Sequence, residues 1–158
     1  MSVSEPKVSN QIHKTRQKAA AWAVHSFTTS GIVLGFLGLV AVFEGKQELA
    51  FIFMGLALLV DGVDGTLARL AKVTQVTPQV DGASLDNVVD MFNYSVLPAL
   101  MIYWFEMVPE QFSIPSAAAI MAVSCYTFAD TSMKTDDYYF QGFPALWNVV
   151  VLYFFIPS

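Results

Sequence analysis

Apolar residues fall in five runs separated by short polar stretches. Positions 22–43 carry no charged residue, and positions 49–60 are apolar and continue in a helix-compatible way through Asp61 to Ala71. Positions 85–105 form a third run with Asp86 and Asp90 at its start; positions 114–129 and 143–156 form the fourth and fifth. A helix needs about 20 mainly apolar residues to cross the hydrocarbon core, so the pattern predicts five membrane-crossing helices, the last of them short. Pro115 and Pro144 each fall at a predicted first helical turn, where a missing N–H is tolerated. Pro98 lies inside the third run and predicts a bend there. Positions 8–21 place Ile12 on one helix face and Lys14, Arg16 and Lys18 elsewhere. They read either as a helix lying in the membrane interface or as a basic anchor ahead of the first span. The expected fold class is all-α: a polytopic transmembrane helix bundle with an N-terminal interfacial helix, five spans visible and later spans missing.

Composition agrees with that pattern. The 158 residues are 55% hydrophobic and 13% charged, against about 25% charged in an ordinary soluble domain. Net charge is -5, so a nucleic-acid binder is disfavoured. The single cysteine, Cys125, excludes a disulfide scaffold and is expected to fill space in the core. Lys7, Lys14, Arg16 and Lys18 precede the first run, Arg69 and Lys72 follow the second, and Lys134 follows the fourth, whereas the opposite side carries only Lys46. Excess Lys and Arg marks the cytoplasmic side, which places the N-terminus and segments 69–85 and 130–142 inside. Residues 1–158 read as one domain without internal repeats. Its fifth run is short, and the expectation is a domain whose C-terminal part is missing.

Acidic residues at membrane depth are expensive and are functional candidates. Asp61 and Asp64 are three residues apart and Asp86 and Asp90 four apart, so each pair shares a helix face. Both pairs lie at the same ends of neighbouring antiparallel spans, so the two faces are able to meet. Four converging carboxylates repel and call for a cation, and an all-oxygen set suits Mg²⁺, Mn²⁺ or Ca²⁺. Gly62, Gly65 and Gly82 punctuate this stretch, with Ala68 and Arg69 close by. Small residues, acids and an arginine together describe a pocket for a metal-bound phosphate compound. Close helix packing accounts for a lone Gly-x-x-Ala, and two acids alone would suit an ion pathway, but packing does not require four aspartates at helical spacing.

Asp61-x-x-Asp64-Gly65-x-x-Ala68-Arg69 followed by Gly82-x-x-x-Asp86-x-x-x-Asp90 resembles the motif of the CDP-alcohol phosphatidyltransferases at all eight positions. The twelve-residue spacer between Arg69 and Gly82, with Pro78 in it, is longer than the usual family pattern. It looks like the phosphatidylcholine-forming bacterial branch, as do 21–25, 28–31, 90–94 with Pro98, and 142–144 with Trp147 and Asn148. The resemblance implies transfer of the phosphatidyl group from CDP-diacylglycerol to choline, giving phosphatidylcholine and CMP. It also implies Mn²⁺ or Mg²⁺, two ions, bound by Asp61, Asp64, Asp86 and Asp90, with Asp90 also the base. Gly65, Ala68 and Gly82 would make room for the cytidine diphosphate and Arg69 would contact phosphate. The partners implied are CDP-diacylglycerol, choline and membrane lipid, without nucleic acid and with a homodimer as one expected assembly, in the bacterial inner membrane with the site on the cytoplasmic side.

Choline carries a fixed positive charge and prefers aromatic faces and negative potential. Tyr94, Tyr138, Tyr139 and Trp147 are the candidate walls of its site, with Phe140 nearby; Tyr and Trp also populate membrane interfaces without binding anything. Asp130, Asp136 and Asp137 read as a solvated loop, and His25 as a packed or hydrogen-bonded helix residue. Two alternatives stay open: the same chemistry with glycerol phosphate, inositol or serine as acceptor, and a cation channel or carrier that uses the aspartates as an ion path.

Overall fold

The structure, a computed structural model, describes residues 5–130 and 146–156, with side chains from position 11 onward. Among the described residues all regular structure is helical: α1 (Glu5–Phe43), α2 (Gln47–Leu70), α3 (Val73–Val76), α4 (Gly82–Met91), α5 (Leu97–Trp104), α6 (Glu110–Ala129) and α7 (Trp147–Phe155). A wide π-type turn, Phe92–Val96, joins α4 to α5 end to end. The expected all-α class is observed.

α1 and α2 form an antiparallel hairpin. Gly45 closes it at φ +70°, a left-handed conformation that glycine adopts without a Cβ penalty. Its N–H donates to Val42 O and the next N–H, of Lys46, donates to Ala41 O, which satisfies the last carbonyls of α1. Beyond this hairpin the α4–α5 rod runs alongside α1 in the same direction. Gly31 of α1 faces Val89 and Val60, Gly35 faces Phe92 and Asn93, and Gly38 faces Leu97, Phe53 and Ala50. The spacing of four and three residues puts these glycines on one helix face, and their lack of side chains lets the rod approach the α1 backbone. Asn93 fixes the contact by donating from Nδ2 to Gly31 O at 3.1 Å.

An apolar core built from Ala41, Val42, Ala50, Met54, Leu97, Met101, Ile102, Ile120 and Val151 fills the end of the bundle near the hairpin turn. Among the described residues, three helices are long and apolar enough to cross a membrane: Gln11–Phe43, Gln47–Leu70 and Glu110–Ala129. Only 22% to 33% of their apolar windows is buried inside the protein. Leu59 and Leu70, 66% and 77% exposed, belong to an outward apolar surface that water would not tolerate and lipid would. The rod over 82–104 adds a fourth length of about 35 Å at 1.5 Å per residue. The described part of the fifth run is α7, nine residues long; Phe143 and Pro144 lie outside the described residues.

Several local expectations need correction. No break separates an interfacial helix from the first span: α1 is one helix of 39 residues, about 58 Å long, and residues 11–20 of it are exposed. Nothing in 8–21 stops a helix, since it lacks glycine and proline. Pro115 is not in a first turn. Helix α6 starts at Glu110 after the cap Pro109, and Pro115 sits within it. The N–H it lacks would have served Gln111, which is exposed and able to find other donors. Pro98 does fall in a first turn, that of α5. The preceding helix widens where Pro98 withholds its N–H, with Leu97 N bonding Phe92 O five residues back. Cys125 is exposed rather than a core filler: the buried face of α6 is Ser113, Ile120, Ser124 and Thr127, and Cys125 lies about 100° round the helix from Ser124.

Candidate metal centre and active site

Asp61 on α2 and Asp86 and Asp90 on α4 each offer a carboxylate oxygen, and the three oxygens lie within 4.8 Å of one another. All three residues are half-buried. The hairpin geometry brings this about: α2 and α4 are joined by the 71–81 connection, which returns the chain to the end it left. At the start of α4, Asp81 is the N-cap; its Oδ1 accepts from Ala83 N at 3.1 Å and its Oδ2 from the Ser84 hydroxyl at 2.6 Å. That cap sets where the helix begins and hence which face carries Asp86 and Asp90.

Three charges at this spacing oppose folding. Each pair at 4.8 Å repels by roughly 3 kcal/mol at an effective dielectric of about 20. A divalent ion with oxygen ligands at about 2.1 Å would place neighbouring ligand atoms about 3 to 4 Å apart, so the set fits one hard cation. The fourth aspartate, Asp64, is not one of this group. Asp64 is buried against α1, beside Thr28. Three of the four expected metal ligands are thus brought together.

Around the triad, Gly65 is exposed and a Cβ there would meet nothing nearer than Arg69 Nη1 at 3.7 Å. A Cβ at Gly62 or Gly82 would meet nothing within 4 Å. Arg69 is exposed and donates from Nη2 to the Thr66 hydroxyl at 3.1 Å. Ala68 faces another way: it is partly buried against Ala21, Val24 and Val73, so its small size serves helix packing in this structure.

The 71–81 connection is tied to α1 by a buried pair. His25 Nε2 lies 3.0 Å from Thr77 Oγ1, and that hydroxyl donates to Val73 O at 3.1 Å. Which of the two atoms donates follows the tautomer of the histidine. His25 is therefore the hydrogen-bonded helix residue expected from the sequence. Thr77→Val should lower stability by about 1–3 kcal/mol, because it leaves the buried ring nitrogen of His25 without its hydrogen-bond partner. Chemical denaturation in detergent checks this, and Thr77→Ser should retain wild-type stability.

Of the candidate choline walls, Tyr94 is 3% exposed and its hydroxyl donates to Asp61 Oδ2 at 2.8 Å. Trp147 donates from Nε1 to the Ser124 hydroxyl at 3.0 Å and packs on the apolar core. Both are engaged inside the bundle. Tyr138, Tyr139, Phe140, Asp136 and Asp137 lie outside the described residues, and Asp130 caps the end of α6. The sequence reading assigned no role to Asp81, to Thr28 or to the Gly31-Gly35-Gly38 stripe, although 28–31 carried part of the family resemblance. The stripe had a visible signal in its spacing.

Residues 24–155 match the profile of the CDP-alcohol phosphatidyltransferases. The chain belongs to this family. It is 45% identical over 139 residues to a phosphatidylcholine synthase of Pseudomonas aeruginosa, covering 88% of this chain and 58% of that protein. It is 46% identical over 136 residues to a phosphatidylcholine synthase of Rhizobium meliloti, covering 86% and 56%. For the Borreliella burgdorferi phosphatidylcholine synthase the identity is 39% over 132 residues, covering 84% and 56%. The chain thus spans a little over half the length of these relatives. No solved structure matches it. Family and apolar helices together make this a membrane protein, and the aspartate triad is its metal-binding candidate.

Proposed function

We propose that this chain carries the catalytic half of a phosphatidylcholine synthase, which transfers the phosphatidyl group from CDP-diacylglycerol to choline and releases CMP. The observation that carries this reading is the convergence of Asp61, Asp86 and Asp90 from two helices onto one point, in a chain whose relatives bear that name. Mn²⁺ or Mg²⁺, when bound, neutralises the diphosphate and aligns nucleophile and leaving group. Asp61, Asp86 and Asp90 would hold one ion, and Asp64 would contribute to a second. Asp90 receives the proton of the choline hydroxyl as that oxygen attacks phosphorus. Arg69 reaches the diphosphate, and the open space over Gly65 and Gly82 receives the nucleotide. The negative potential of the aspartates draws in the choline cation.

The site end of the bundle also carries the exposed basic part of α1, with Lys14, Arg16 and Lys18, and Arg69 and Lys72. This supports a cytoplasmic site in the bacterial inner membrane. A channel would need ionisable groups through the bilayer depth. Instead, the aspartates sit at one end and the other is packed with Ala41, Val42, Leu97 and Met101.

The direct test is CMP release from CDP-diacylglycerol with Mn²⁺, comparing choline with glycerol phosphate, inositol and serine. Release dependent on choline supports the synthase reading. Release with another alcohol and not with choline rejects choline as acceptor and leaves the family assignment intact. Gly65→Leu separates nucleotide space from folding. A Cβ there would meet only the flexible tip of Arg69 within 4 Å, and leucine favours a helix over glycine by about 0.5–1 kcal/mol. Stability should hold or rise while affinity for CDP-diacylglycerol falls at least tenfold; unchanged affinity in a titration would refute the close approach of the nucleotide.

A further inference from the structure

We propose that Tyr94 is a positioning residue for the metal centre: its hydroxyl holds Asp61 in the orientation in which that carboxylate meets Asp86 and Asp90. The inference rests on the reading of the triad as a metal site and deepens it.

The starting point is helical register. Asp86 and Asp90 are four residues apart, and Tyr94 is four further on. In a regular α-helix each such step overshoots by about 40°, so a third position drifts off the shared face. The wide turn Phe92–Val96 intervenes at this point. A π-type turn takes up an extra residue, which slows the rotation and returns Tyr94 toward the face of Asp90. Two features pin the turn in place: Pro98, which has no N–H to close a regular turn there, and Asn93, whose amide is bound to Gly31 O at 3.1 Å.

The second point is the bond itself. Tyr94 O–H donates to Asp61 Oδ2 across 33 positions of sequence at 2.8 Å. It crosses from the rod that carries Asp86 and Asp90 to the helix that carries Asp61. A carboxylate has about four acceptor positions on two oxygens. Tyr94 occupies one position and fixes the torsion of the group, and the others remain for a cation. Partners of this kind typically change metal affinity by 10- to 100-fold when removed. The ring is 3% exposed, so it presents no open face to a choline cation.

The test measures Mn²⁺ binding directly, by electron paramagnetic resonance on the purified chain in detergent, for wild type, Asp61→Asn and Tyr94→Phe. Gel filtration and melting temperature report folding. The expected result is a loss of binding in Asp61→Asn and 10- to 100-fold weaker Mn²⁺ binding in Tyr94→Phe. In turnover, Tyr94→Phe should raise the Mn²⁺ concentration required by the same factor, with KM for choline unchanged because the buried ring does not face that substrate. Wild-type Mn²⁺ affinity in Tyr94→Phe, with binding lost in Asp61→Asn, overturns the role of Tyr94 and leaves the metal site standing. Equal binding by wild type and Asp61→Asn overturns the site reading and this inference with it. Where Tyr94→Phe does not fold, Tyr94→Met, which fills the space without a donor, is measured against the same outcomes.

Discussion

Asp90→Asn should reduce CMP release by two to four orders of magnitude while CDP-diacylglycerol affinity falls less than tenfold. The substitution keeps size and an oxygen atom but removes the ability to take up a proton. General-base contributions of this kind are typically worth 10²–10⁴ in rate. Binding survives because the nucleotide space over Gly65 and Gly82 and the Arg69 side chain are untouched, and Asp61 and Asp86 still offer two carboxylates to a cation. Two measurements separate the contributions: single-turnover CMP release at saturating Mn²⁺, and equilibrium binding of CDP-diacylglycerol. Turnover near wild type would remove Asp90 from the base role. A parallel collapse of substrate binding and turnover would make Asp90 chiefly a ligand.

The convergence of Asp90 with Asp61 was legible in the sequence for a definite reason. Helical spacing fixes which aspartates share a face, and alternating apolar runs make neighbouring spans antiparallel, so two faces at one membrane surface have only a short distance to close. The same logic does not reach Asp64. Whether it joins the triad depends on how it packs against another helix, where it is buried beside Thr28. The His25–Thr77 and Asn93–Gly31 bonds span 52 and 62 positions; periodicity says nothing of such partner choices, because they are made by packing. Pro98 was legible as a disturbance, while its form was not. A missing N–H can be met by a kink or by a wide turn, and here the rod's contact with α1 goes with the wide turn. Cys125 shows the remaining weakness: in a helix apolar on all sides, the sequence does not say which side meets protein and which meets lipid.

Gly35→Leu should cost about 2–3 kcal/mol of stability and weaken Mn²⁺ binding, the reverse of what the same replacement does at Gly65. A Cβ at Gly35 would press into Asn93 Oδ1 and come within 2.8 Å of the Phe92 ring. Asn93 has little freedom to retreat, since its amide is bound to Gly31 O. Phe92 belongs to the wide turn, so it moves only if the rod moves. Overpacking a well-filled contact typically costs 1–3 kcal/mol; leucine adds three further carbons beyond the clashing one, so the upper part of that range is the expectation. The relief available is for the 82–104 rod to back away from α1, and that rod carries Asp86, Asp90 and Tyr94 but not Asp61. Separation of the two helices therefore opens the triad. Melting temperature and Mn²⁺ titration of Gly35→Ala and Gly35→Leu should fall in step with side-chain size. A lowered melting temperature with wild-type Mn²⁺ affinity would mean that the rod stays seated and the triad does not depend on the glycine stripe. An unchanged melting temperature would mean that α1 and the rod are not in close contact at Gly35.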